Sequence, residues 1–239
     1  MFFYDSTFLC FLLPAIILGF IAQAAVKSKF SQYSQVRTMR GLTGAQVARQ
    51  ILDTNGLQDV IVEETQGFLS DHYDPRSRTL RLSPDVARAP SVAAVGVAAH
   101  EAGHALQHKT GYVPLQLRSF MVPAVQFGSW LGPLVIVSGI LLETVFRAGN
   151  FGLGLAWLGV ILYTVVALFA VITLPVELDA SARAKKLLYQ YNIVDQRELS
   201  GVSSVLNAAA WTYVVAALAA LLELARWIFI LVGMGRRND

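Results

Sequence analysis

The sequence has 239 residues, of which 55% are hydrophobic and only 15% charged, and its mean hydropathy is +0.52. These values are too apolar for an ordinary soluble protein and indicate a membrane protein. The net charge of +3 is small, so nucleic-acid binding is not expected, and the single cysteine, Cys10, excludes an internal disulfide.

The first apolar segment covers residues 8–26, which carry no charge and can cross a hydrocarbon core of about 30 Å. We therefore predict a first transmembrane helix here. A cleaved signal peptide is the alternative, because Ala22-Gln23-Ala24 resembles a cleavage site, but the N-terminus lacks a basic region and contains Asp5. Basic residues follow at positions 27, 29, 37 and 40, so the positive-inside rule places the N-terminus outside the cell.

Residues 27–118 have the pattern of a folded region outside the membrane. An amphipathic helix is predicted between Thr43 and Asn55, followed by a short strand at residues 60–62. After a turn, residues 79–82 alternate between polar and apolar side chains in the manner of an edge strand. Such an edge can bind an extended peptide through main-chain hydrogen bonds, although a plain hairpin explains the pattern equally well.

A helix is predicted at about residues 91–109, because Ser91 can cap its N-terminus and Gly111 can end it. This helix contains the motif His100-Glu101-Ala102-Gly103-His104. Histidines four residues apart lie on one face, so both can bind one zinc ion, while Glu101 can reach a water molecule on that ion.

The glycine inside this motif indicates close packing, because Gly103 costs about 1 kcal/mol relative to alanine in a helix. The alternative to a zinc site is an alanine-rich helix that buries two neutral, hydrogen-bonded histidines.

Three further apolar segments predict transmembrane helices at residues 120–142, 151–176 and 208–234. The paired crossings return residues 177–207 to the side of the membrane that holds the helix at 91–109. Eleven Lys and Arg lie between the first and second spans and four between the third and fourth, against four in the outer segments and last span. Both regions are therefore predicted to be cytoplasmic. In the last span, Glu223 and Arg226 are three residues apart and can pair.

A catalytic zinc ion needs a third protein ligand. The residues offer four candidates, which are His72, His108, Glu177 and Asp179. His108 lies two turns from His100, too far along the axis for one ion to bind all three histidines. Glu177 begins a helix-like segment after the third span, and the residues alone leave the choice open.

The segment HEAGHALQH, preceded by SDHYDPRSRTLRLS and followed by LPVELDASARA, resembles the YugP-type neutral zinc metallopeptidases of bacterial membranes. The resemblance covers nearly the whole chain and extends distantly to the membrane gluzincins that include HtpX and the CAAX prenyl proteases. In that wider group, a glutamate in an ExxAD pattern is the third ligand. The resemblance therefore implies that Glu177 binds zinc, and it puts Ser181 where the group has aspartate. Ser181, Asp179 and His72 are candidates for supporting a ligand or an oxyanion.

Together these features predict a mainly α membrane protein with four transmembrane helices and a zincin-like α+β metallopeptidase unit, multi-pass in the cell membrane, whose active site faces the cytoplasm. One Zn²⁺ per chain, held by His100, His104 and Glu177, would activate water, with Glu101 as the general base of peptide-bond hydrolysis. The expected partners are a peptide or protein substrate and the lipid bilayer.

Two other functions are compatible with parts of this pattern. The first is an intramembrane-cleaving protease, which is disfavoured because only ten uncharged residues precede His100, too few for a span. The second is a non-catalytic zinc-binding scaffold, which would have no need of Glu101.

Overall fold

The computed structural model describes residues 6–147 and 150–238. The predicted outer loop contains Ala148 and Gly149, which lie outside the described residues. After a π-helical turn at Phe8–Leu12, the elements in chain order are α1 (Leu13–Ser34), α2 (Gly44–Thr54), β1 (Ile61–Glu64), β2 (His72–Asp74), β3 (Thr79–Leu82), α3 (Pro84–Ala87), α4 (Val92–Lys109), α5 (Val113–Phe146), α6 (Asn150–Gln190) and α7 (Gln196–Asn238).

Four helical segments in the described part of the chain are long and apolar enough to cross a membrane, and they are α1 with its preceding turn, α5, α6 and α7. Together with one small sheet, they confirm the predicted mainly α membrane fold. Helix α6 continues without a break past the predicted span of 151–176, so the helix that begins in the apolar segment also carries Glu177. The predicted boundaries between membrane and aqueous segments stay predictions.

One compact unit consists of Met1–Phe20, Leu117–Leu174 and Tyr213–Asp239. Its helices approach closely at glycines, since a Cβ added to Gly159 would lie 2.6 Å from the backbone nitrogen of Ile136. The predicted ion pair is present within α7, where the Arg226 guanidinium donates two hydrogen bonds to the Glu223 carboxylate. This pairing reduces the cost of charge in an apolar helix.

The second compact unit consists of Ile21–Gln116 and Pro175–Thr212. Helix α2 begins with a capping box: the Thr43 hydroxyl oxygen accepts a hydrogen bond from the backbone nitrogen of Gln46, and the Gln46 side-chain oxygen accepts one from the backbone nitrogen of Thr43. It buries Val47 and Ile51 in a core that surrounds α4. Small side chains fill most of α4, so neighbouring elements can approach it on nearly every side.

The sheet has the strand order β1-β3-β2. Strand β1 pairs with β3 in parallel and β2 pairs with β3 antiparallel. The prediction that residues 79–82 form an edge strand is therefore wrong, because β3 has a neighbour on both sides. Alternation along a strand reports which faces are buried, whereas the number of neighbouring strands depends on distant segments.

Candidate active site

Helix α4 places the two motif histidines one turn apart. Ser91 caps the helix by accepting a hydrogen bond from the backbone nitrogen of Ala94. The ring centroids of His100 and His104 are 4.8 Å apart and the rings are almost perpendicular. Both imidazoles lie on the side of α4 that meets α6.

The close packing predicted at Gly103 is confirmed. A Cβ added to this residue would lie 2.7 Å from the backbone oxygen of Ala180 in α6, which is too close for any alanine in that position without a backbone shift. Glycine therefore allows α4 and this part of α6 to come within side-chain reach of each other.

The carboxylate of Glu177 lies directly between the two histidines. Its Oε2 atom is 3.2 Å from Nε2 of His100 and 3.6 Å from Nε2 of His104, and its side chain is only 3% exposed. Among the residues that the structure describes, these three offer ligand atoms within 4.8 Å of one another and could hold a metal ion. Two imidazole nitrogens and one carboxylate oxygen form a donor set that suits a zinc ion with an open coordination position.

The outer nitrogen of each imidazole has its own protein partner. Nδ1 of His100 lies 3.0 Å from Oγ of Ser181, and Nδ1 of His104 lies 3.0 Å from Oε1 of Gln107. The other ring nitrogen of each histidine, Nε2, faces Glu177. Hydrogen bonds of this kind orient histidine ligands in metal sites, so the arrangement fits zinc beyond the three ligand atoms themselves.

Asp179 is linked to His104 by hydrogen bonds through Gln107. Its Oδ2 atom accepts hydrogen bonds from Nε2 of Gln107 at 2.8 Å and from Nε of Arg183 at 2.6 Å. Gln107, which the sequence analysis missed, connects Asp179 to His104. Its only sequence signal is a glutamine one turn after His104, and its partners in α6 lie about seventy positions away in the chain.

Glu101 lies on α4 and is 8% exposed. In the described part of the chain, no hydrogen bond engages its carboxylate, so its oxygens are available to accept a proton. Asp71, a second carboxyl that the sequence analysis missed, lies within electrostatic reach of it and accepts hydrogen bonds from the backbone nitrogen and hydroxyl of Ser83. Burial raises the pKa of Asp71, and the negative charge of Glu101 raises it further.

The remaining candidates lie outside the three-residue group. His72 is exposed on β2, and its Nδ1 contacts the backbone oxygen of Ser70 at 2.8 Å. His108 follows one turn after His104, and its Nδ1 contacts the hydroxyl of Tyr73 at 2.9 Å. The structure therefore brings Glu177, rather than either of these histidines, to His100 and His104.

Comparison with known proteins identifies the family of this chain. A family described as "Putative neutral zinc metallopeptidase" matches residues 8–232. The "Putative membrane protease YugP" of Bacillus subtilis (strain 168) is 46% identical over 223 residues, which cover 93% of this chain and 96% of the relative. No solved structure matches the chain. The match along nearly the whole length shows that this chain belongs to the neutral zinc metallopeptidase family.

Proposed function

We propose that this protein is a membrane-bound zinc endopeptidase in which His100, His104 and Glu177 hold one Zn²⁺ and Glu101 is the general base. The observation that carries the proposal is the convergence of three ligand atoms within 4.8 Å, next to a carboxylate that no hydrogen bond engages in the described residues. Neither feature alone would distinguish a catalytic site from a binding site.

When bound, zinc supplies a Lewis acid that polarises the scissile carbonyl and lowers the pKa of water. Glu101 accepts a proton from the attacking water as the bond between oxygen and the carbonyl carbon forms. It then delivers this proton to the leaving amine as the bond between carbon and nitrogen breaks. Glu101, His104 and Glu177 are buried and the His100 side chain is only 12% exposed, so these groups have little contact with bulk water.

The substrate class follows from the chemistry and from the sheet. A polarised carbonyl and a general base are what peptide-bond hydrolysis requires. The outer strands β1 and β2 each expose one unpaired edge in the described sheet, and an extended peptide can pair with such an edge. We propose peptides or proteins at the cytoplasmic side of the membrane as substrates, on the basis of the fifteen basic residues in the two regions that hold the site.

The test is Glu101→Gln in the purified full-length protein. The variant should retain zinc, because the ligands are unchanged, and should cleave an unstructured protein substrate about 10²- to 10⁴-fold more slowly. Asp53→Asn is the control, since it makes the same kind of carboxylate-to-amide change at an exposed position on α2, where Asp53 pairs with Arg49. Near-normal turnover by Glu101→Gln would refute the mechanism, and wild-type protein that holds zinc without cleaving any peptide would support a scaffold.

A further inference from the structure

Gln107 is a polar side chain in the core, with no solvent exposure. A buried amide has to find hydrogen-bond partners, since an unpaired one costs free energy of folding. Gln107 has three. Its Oε1 atom lies 3.0 Å from Nδ1 of His104, and its Nε2 atom lies 2.7 Å from the backbone oxygen of Val176 and 2.8 Å from Oδ2 of Asp179.

These partners determine the orientation of the amide. The Val176 oxygen and the Asp179 carboxylate can only accept hydrogen bonds, so both must face the NH₂ group of Gln107. Arg183 reinforces this arrangement, because its Nε donates to the same Oδ2 atom of Asp179. The amide oxygen of Gln107 therefore faces His104.

The orientation of the amide determines which nitrogen of His104 carries the proton. An amide oxygen only accepts, so neutral His104 must carry its proton on Nδ1 and donate it to Gln107. The lone pair then lies on Nε2, the nitrogen that faces Glu177. Zinc requires this tautomer, since only an unprotonated nitrogen can bind a metal ion.

We propose that Gln107 is a positioning residue of the zinc site, which fixes the tautomer of His104 and ties that ligand to the segment of α6 that holds Glu177. Val176 immediately precedes Glu177 and Asp179 follows it by two positions. One side chain thus connects a ligand on α4 with both flanks of the ligand on α6. This inference rests on the proposed function, because it assumes zinc at His100, His104 and Glu177.

The alternative is that Gln107 only satisfies buried polar groups. In that case its replacement would destabilise the metal-free and zinc-bound proteins alike and leave zinc affinity unchanged. Zinc affinity therefore separates the two roles, and it does so without a measurement of peptidase activity.

The first variant is Gln107→Met, which has a similar length and no amide. In full-length protein, competition with a chromogenic chelator should show zinc binding about 10- to 100-fold weaker than in the wild type. Thr79→Val is the matched control, because Thr79 is also buried in this unit and donates its hydroxyl hydrogen bond to Ser77, away from the ligands. The control should bind zinc normally, and unchanged zinc affinity in Gln107→Met would overturn the proposal.

The second variant, Gln107→Glu, tests the connection to Asp179. It keeps an oxygen for His104 but puts another oxygen in front of Val176 and the Asp179 carboxylate, so zinc binding should weaken. Adding Asp179→Asn removes the second carboxylate and can place an NH₂ group where Oδ2 now faces residue 107, with loss of the Arg183 hydrogen bond to that same position. The double variant should therefore recover several-fold in affinity over Gln107→Glu, and Asp179→Asn alone measures the cost of losing the Arg183 bond. Losses that simply multiply in the double variant would overturn the coupling.

The same measurements separate this proposal from the proposed function. Wild-type protein that binds zinc but cleaves no peptide would refute the peptidase, while the affinities of the Gln107 variants would still decide the role of this residue. Wild-type protein that fails to bind zinc would overturn both.

Discussion

The close approach of α4 and α6 predicts a specific effect of Gly103→Ala. The new methyl carbon would lie 2.7 Å from the Ala180 oxygen and 3.3 Å from its carbonyl carbon, against roughly 3.5 Å for a relaxed contact. The two backbones must therefore separate by roughly 0.5 to 1 Å. Such overpacking costs about 1–3 kcal/mol, and alanine in place of glycine returns about 1 kcal/mol of helix propensity. The expected net destabilisation is about 0–2 kcal/mol.

The same displacement matters more to the zinc site than to the fold. Ligand distances in metal sites hold within about 0.2 Å, which is several times smaller than the required separation. Ala180 lies three residues after Glu177, so the shift in α6 is transmitted to the ligand itself. We therefore expect zinc affinity to fall at least about 10-fold, in the range seen when groups that support a ligand are removed, while the melting temperature of the metal-free protein falls by no more than about 8 °C.

The matched control is Gly96→Ala in the same helix. Its added Cβ would lie 3.2 Å from Cγ1 of Val202, a contact that needs a shift of only a few tenths of an ångström and does not involve α6, so this variant should bind zinc normally. Chelator competition measures affinity, and thermal unfolding of the metal-free protein measures stability. Wild-type zinc affinity in Gly103→Ala would refute the idea that contact between the helices positions Glu177. Equal losses in both variants would point to a general disturbance of α4.

Three further predictions concern the ligands, a buried carboxyl and the topology. Glu177→Ala should lose zinc and activity, because two histidines are too few ligands for a catalytic zinc ion. Metal analysis should still find zinc in the controls His72→Ala, His108→Ala and Asp179→Asn. Full zinc content in Glu177→Ala would exclude Glu177 as a ligand. Burial raises the pKa of Asp71 in the folded protein. The stability linked to its protonation is therefore fully present below about pH 3.9, the ordinary pKa of aspartate, and is lost as the pH rises through the raised pKa of the folded state. As the pH falls from about 7 to 4, the melting temperature of the wild type should therefore rise relative to that of Asp71→Asn. A difference in melting temperature that does not change with pH would contradict this. In intact cells expressing a Cys10→Ser background, an impermeant thiol reagent should label a cysteine at position 148 but not one at position 37 or 186, and the reverse pattern would place the site outside.

Features that depend on neighbouring residues were predictable from the sequence. Long apolar runs define the four apolar helices, Thr43 and Ser91 cap the helices that follow them, and Gly103 marks a close contact. The capping and glycine signals are complete within one or two helical turns and each apolar run within one helix, so none of them requires knowledge of the fold.

Features that depend on distant pairing were not predictable in this way. The central position of β3 requires a parallel partner that precedes it by about eighteen residues. The proximity of Asp71 to Glu101, and the two contacts from Gln107 to α6, arise only when separate segments pack together. Glu177 was selected among four candidates by family resemblance, since spacing alone carries no information about a ligand on another helix.

The contacts between α4 and α6 show why a helix pair can position this site. Moving forward along α4, His100, Gly103 and Gln107 meet Ser181, Ala180 and Val176 in turn, so the two helices run antiparallel. On α4 these contacts are three and four residues apart, which is the spacing of one turn, and on α6 all of them fall between Val176 and Ser181. A shift of α6 by one residue would rotate Glu177 by about 100° and break the contacts at Ser181 and Val176 together. The hydrogen bonds at Ser181 and Val176 therefore favour the one register of α4 and α6 that brings Glu177 to the histidines. A ligand held in this way on a helix is positioned more precisely than a ligand on a loop.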